Sequence, residues 1–323
     1  MQSSIQREAG TTAPAAGADG WTPRVSRVPG AEFLRRRMEA AVIGLSSGFG
    51  SPRLNYLEPP GDPGLFGPQS VCWRVHGDFT LMMAGGVCAL LLQALHPLAL
   101  AGVWDHSSFR QDILGRLRRT AAFVGGTTYG SRRDALMLVE RVKRIHQGVV
   151  GTAPDGRSYA AGDPRLLTWV HVAEVSSFLA AHQRYARRPL TAAEQDRYFE
   201  ETALVAELLG AEGVPKSRAA LNDYFARMLP QLEYGERAKE VRRLLLRAPA
   251  VGLAVKPFGL LLAQAGVDLL PGWAQDLMGT RRRGARRAIT TPGVRALAPA
   301  LRWALRNGAR ARATQRAAGA AQT

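Results

Sequence analysis

The chain is poor in the features that announce a familiar chemistry. Only two cysteines, Cys72 and Cys88, occur in 323 residues. They have no CxxC spacing, so they cannot form a Cys-rich metal site and do not suggest a disulfide framework. Both lie in apolar surroundings and read as buried thiols of a reducing compartment. Aromatic residues make up 7% of the chain. β-branched or aromatic runs of strand length are scarce, which leaves a mainly α-helical, all-α class. The six histidines show no HExxH or other tight ligand spacing, which argues against a zinc-protease-like centre. There is no GxGxxG opening a helix after a strand, no P-loop and no GxSxG. Dinucleotide, nucleotide and serine-hydrolase readings therefore lack support. Negative charge is almost missing from one end: from Pro271 onward there are eleven arginines and one acid, Asp276.

That imbalance carries most of the net charge of +17. The rest of the chain is only mildly basic. A basic tail of this kind is either a solvated end or a contact for anionic lipid or an acidic partner; nucleic acid is not expected. Within it, Val294, Leu297, Ala298, Leu301 and Leu305 form an apolar stripe, with Arg295, Arg302 and Arg306 on another face. Such a basic amphipathic helix can dock on the domain or lie on an anionic membrane. The opening residues MQSSIQREAGTTAPAAGADG have no apolar core of a secretory signal, so a cytoplasmic placement is expected, with peripheral membrane contact as an option. The organisation expected is a disordered lead over residues 1–28, a catalytic domain over 29–279, and a basic tail with an amphipathic helix over 280–323.

The helices can be placed by periodicity. A short helix is expected near Ala31–Leu45, followed by a Gly/Pro-rich loop. Phe79–Trp104 is almost wholly apolar and long enough to cross a bilayer, but Gly85-Gly86 and Pro97 interrupt it. A buried core helix that ends or kinks before Pro97 is the better reading. Gln111–Val124, Arg132–Val149 and Leu166–Tyr185 follow with helical periodicity, the last two separated by the turn sequence APDGRSYAAGDP. Thr191 with Glu194 makes a capping box that opens a helix to about Leu209. Leu221–Met228 and Glu236–Leu246 are further helices, and Leu245–Trp273 reads as short, broken ones.

Two patterns could carry chemistry. On Arg132–Val149 the apolar face runs Ala135, Leu138, Val139, Val142, His146, Val149. His146 thus points inward, either as a core histidine bonded to a carbonyl or as a ligand. On the preceding helix Arg116, Arg119 and Thr120 stand at i, i+3 and i+4 and share a face. Such a cluster is either a solvated face or a seat for an anion, to which arginine is suited. Spacing alone does not separate these readings.

The ordered series RxxxT at Arg116–Thr120, a Tyr-Gly, IHxxVxG around His146, DGRxYxAxDPxLLxWVH through His171, and LTxxExDxY resembles the MpaB-type oxygenases, a family that includes the latex-clearing rubber oxygenases. The resemblance spans roughly Gly67 to Leu277. It implies a single globin-like helical domain with a pocket for haem b, in which His146 is the axial iron ligand and Arg116 and Thr120 line the cofactor site. It further implies an oxygenase that uses O2 on a hydrophobic, isoprenoid-like substrate at a carbon–carbon double bond. Arg119 stands where a lysine can occupy the distal iron position in that family, and arginine, which stays protonated, is a poor ligand. The family's catalytic carboxylate on the preceding helix has no counterpart in His96–Gly102. His96 and His106, with Asp105 nearby, are then the candidates for a distal acid–base group; His106 also reads as a partner of a helix cap near Ser107. His171 either faces the cofactor or is a structural histidine. A gas-binding or peroxidase-like haem protein, or a basic membrane-surface protein, are the competing readings.

Overall fold

The computed structural model describes residues 54–247, 256–281 and 287–319, with parts of 32–39. The expected lead over 1–28 and most of the expected helix near 31–45 lie outside the described residues. Among the described residues the chain is helical but for one two-stranded antiparallel ribbon, as the sequence leads one to expect.

The apolar segment forms two helices. After a short α1 (Val71–His76), α2 (Phe79–Gln93) is capped by Asp78, whose side chain accepts from the N–H groups of Thr80 and Leu81. It is apolar all round, as a helix buried on all sides must be. Its end before Pro97 is the break expected from the sequence. The chain turns by 106° into α3 (Pro97–His106). No single described helix is long and apolar enough to cross a membrane; this bent pair is so only by length and composition.

α4 (Ile113–Tyr129) and α5 (Arg132–Gln147) make a hairpin across Gly130 and Ser131. α4 runs five residues beyond the expected end at Val124, straight through Gly125-Gly126. The reason is packing: a Cβ on Gly126 would lie 2.2 Å from Leu138 Cδ1 on α5, so here glycine marks a close helix crossing rather than a stop. α5 ends at Gly148 and runs into strand β1 (Val150–Thr152), which pairs with β2 (Ser158–Ala160) in the register Val150 to Ala160. Then come α6 (Pro164–Tyr185), α7 (Ala192–Leu209) with its capping box at Thr191 and Glu194, α8 (Arg218–Met228) and α9 (Glu236–Arg247). Three more follow: α10 (Lys256–Leu269), α11 (Gly272–Leu277) and α12 (Arg287–Ala304).

α2 sits at the centre, against α6, α10 and α12. The apolar stripe of the basic segment is spent on this core. Val294 and Ala298 are buried, and Arg302 pairs with the helix cap Asp78 at 3.1 Å. α13 (Ala309–Ala318) closes the molecule against the α4–α5 turn. Its Arg316 is 1% exposed and donates to three carbonyls: Asp62 at 2.8 Å, Gly130 at 3.0 Å and Tyr56 at 3.4 Å. The Arg316 carbonyl in turn accepts from Gly61 N–H at 2.7 Å. The helices of the segment from residue 280 thus pack on the same body as the rest.

The guanidinium of Arg316 satisfies three buried acceptors at once, and a lysine has no planar fork with which to do so. Both Arg316→Ala and Arg316→Lys are expected to lower unfolding free energy, the alanine by about 2–4 kcal/mol. Urea denaturation followed by circular dichroism measures this; a lysine variant as stable as the parent would show that the three-carbonyl geometry is unimportant.

Candidate active site

The α4–α5 hairpin is closed at its turn and open at its free end. Near the turn, Gly126, Thr127, Thr128 and Tyr129 on α4 and Ala135, Leu138 and Val139 on α5 are buried. Toward the free end the same faces come out: Thr120 and Arg119 are exposed, and Val142 and His146 are half-buried. Arg116 and His146 lie at this free end, because both are remote from the turn on two helices joined by two residues. An inward apolar face left half uncovered is the shape of a groove rather than of a finished core.

The remaining candidates near that end come from α3 and the ribbon. His106 Nε2–H donates to the Val150 carbonyl at 3.1 Å, and its ring stands edge-on to Tyr159. The Tyr159 hydroxyl donates to Asp105 at 2.7 Å. Among the described residues Arg116 reaches Ser107 Oγ, at 3.5 Å. Burial, with Arg119 next to it, lowers the Arg116 pKa to about 10. No carboxylate answers this guanidinium among the described residues. A half-buried cation of this kind is a ready seat for an anionic ligand. The His146 imidazole likewise makes no hydrogen bond among the described residues, and burial lowers its pKa. His146, Arg116 and His106 are therefore brought to one end of the hairpin, with Thr120 and Arg119 on the exposed edge.

His96 is elsewhere. It is the N-cap of α3, its Nδ1 accepting the Ala99 N–H at 3.4 Å, and it packs on Trp169. Burial drives its pKa down to about 4. One imidazole nitrogen is thus committed to holding the α2–α3 bend.

His171 lies inside. Arg116, Thr120, Phe123 and Thr127 fall within a narrow sector of α4, given 100° per residue. Phe123 and Thr127 line a half-open pocket of about 40 Å³, whose other walls come from α1, α6 and α7. His171 and Glu174 of α6 and His76 of α1 also face it. Its volume holds a few waters and no larger molecule. His76 is fully engaged, with Nδ1 at 2.9 Å from Thr128 Oγ1 and Nε2 at 2.9 Å from the Tyr198 hydroxyl. Desolvation, with His171 and His182 close by, lowers its pKa to about 3. Burial lowers His171 to about 4 and raises Glu174 to about 7. His76 and Glu174 were not singled out by sequence patterning. His76 sits in a short helix with no evident periodicity. Glu174 lies one turn beyond His171 in a helix whose buried residues occur on most of its circumference, so no polar stripe betrays it.

The profile of the family described as ER-bound oxygenase mpaB/B′ and rubber oxygenase, catalytic domain, matches residues 73–303. Two mycobacterial proteins, one from Mycobacterium bovis and one from Mycobacterium tuberculosis, each named only as uncharacterized, are 28% identical over 127 residues. That stretch is 39% of this chain, and it covers about half (49%) of each relative. No solved structure matches the chain at a significant level.

The neutral state of His76 has a measurable consequence. The folded protein holds it unprotonated down to about pH 3, whereas the unfolded chain protonates it near its free value of about 6.5. Below that value the unfolded state binds more protons, so stability falls as pH falls. Between about pH 6.5 and pH 4.5 His76 alone should account for about 2 kcal/mol of that loss. His76→Gln, which can still bridge Thr128 and Tyr198, should show a shallower decline when urea midpoints are measured across this range. Equal slopes in parent and variant would contradict a neutral, buried His76.

Proposed function

Because the chain belongs to the mpaB and rubber oxygenase catalytic-domain family, and so carries an oxygenase domain, we propose that it is a haem b-dependent oxygenase acting with O2 on a hydrophobic substrate. The observation that carries this is the free end of the α4–α5 hairpin. There the half-buried His146 imidazole and the half-buried Arg116 guanidinium, neither with an acidic partner among the described residues, lie on two helix faces that are only partly covered. These residues fit a haem by chemistry. An imidazole is a common axial ligand for iron, and a guanidinium is suited to a propionate carboxylate.

In this reading His146 holds the iron, Arg116 anchors a propionate, and Thr120 edges the site. Bound haem supplies the activation of O2, and the protein supplies orientation and exclusion of water. The apolar faces of α4 and α5 receive the substrate, whose oxygenation or cleavage at a carbon–carbon double bond accords with an isoprenoid-like molecule. His106 stands at the same end, with Nε2 committed to Val150 and Nδ1 left as the proton acceptor. Arg119 stays charged and exposed, and holds positive potential at the mouth rather than coordinating anything.

Purified protein supplemented with haem should show a Soret band, and His146→Ala should lose or strongly shift it. Arg116→Gln should keep the band but bind haem at least about tenfold more weakly, since a charge-assisted hydrogen bond contributes about 1.5–3 kcal/mol. No Soret band in the parent would defeat the haem reading. An unchanged band in His146→Ala would defeat only the ligand assignment.

A further inference from the structure

The half-open pocket behind the α4 face is lined by His171 and Glu174 of α6. His171 Nε2 is fully buried and has no hydrogen-bond partner. The Glu174 carboxyl makes no hydrogen bond among the described residues. Both line the same cavity and stand one helical turn apart on α6, at i and i+3. The other polar groups of the wall are already used. The Thr127 hydroxyl donates to the Phe123 carbonyl at 2.9 Å and Thr202 to Tyr198 at 2.8 Å, while Thr128 is held by His76. Buried polar groups are almost always satisfied, by protein or by water. A cavity of about 40 Å³ is large enough to hold water.

We propose that Glu174 and His171 form a proton-exchanging pair bridged by water in this cavity, a site at which the interior holds and releases one proton. Among the described residues the titratable groups that line the pocket with Glu174 are His76 and Cys72 on α1 and His171 on α6 itself, and Tyr198 of α7 is close enough to feel its charge. Burial raises the Glu174 pKa to about 7, so its acid and carboxylate forms are both populated near neutrality. His171 stays neutral, so its imidazole accepts from or donates to the bridging water without adding charge. Release converts the carboxylic acid to a carboxylate. The proton leaves through water toward the α4 face, and solvent returns one to close the balance. The site rests on the oxygenase reading only for the use made of that proton.

The test is infrared spectroscopy of the purified full chain between about pH 5 and pH 9, in H2O and in D2O. The parent should show the carbonyl band of a protonated carboxyl that shifts in D2O and fades with a midpoint near pH 7. Glu174→Gln should lack it. His171→Leu should keep it but raise its midpoint by about half a unit or more, because a hydrogen-bonding partner of the carboxylate is gone. If Glu174→Gln does not fold, as judged by circular dichroism, the parent labelled with 13C-glutamate identifies the band by its isotope shift. Absence of any Glu174 band above about pH 6 would overturn the proposal. An unmoved midpoint in His171→Leu would overturn the pairing. Failure of haem binding leaves this titration in place, so the two readings fail separately.

Discussion

The close approach of α2 to its neighbours fixes most of what surrounds it. α2 has no polar face to give to water, so it must be enclosed, and enclosure at short range needs glycine. A Cβ on Gly85 would meet the Phe178 ring at 2.8 Å and the Ser177 carbonyl at 3.1 Å on α6. A Cβ on Gly266 of α10 would meet Val87 at 2.6 Å and the Ala84 carbonyl at 3.0 Å. These two positions let α6 and α10 lie against the central helix where any larger residue would hold them off. Phe178 carries the effect onward: it wedges against Gly85 on one side and stands edge-on to His76, at 5.3 Å between ring centroids, on the other. One wall of the pocket that Phe178 lines is thus held by the same packing that buries α2.

The charge of the chain is also read differently in three dimensions. The eleven arginines from Pro271 onward look like a tail aimed outward. Several of them instead bond back onto the protein. Arg295 donates to the Arg184 carbonyl at 2.9 Å, Arg302 neutralises the cap of α2, and Arg316 is enclosed. Long side chains with a planar donor fork suit this use, since they reach carbonyls at helix ends and loops that no neighbouring N–H can serve.

The helical class, the break before Pro97, the capping box at Thr191 and the turn after α5 were legible because each depends on a local rule: period, proline, a cap, glycine and aspartate in turns. The family was legible from an ordered set of motifs. What could not be read were features made by contact. Gly125-Gly126 suggests an end to α4, but Leu138 makes it a crossing. His96 looks like a distal acid–base candidate, but its Nδ1 caps a helix. Glu174 was silent because a single acid in a helix buried on most faces has no periodic signature; only the cavity makes it stand out. His146 and Arg116 were picked from helix faces, and the structure adds that they share the free end of one hairpin, where neither has an acidic partner among the described residues.

That hairpin is anchored at its bend from outside. Arg316 grips the Gly130 carbonyl there, and Asp62 accepts the Arg132 N–H at 3.0 Å just beyond it. Arg316 also donates to the Asp62 carbonyl, 254 residues away in the chain. The bend is therefore the place where the loop before α1 and the last described helix are tied together, so a break in any one of the three segments would leave buried carbonyls of the other two without a donor.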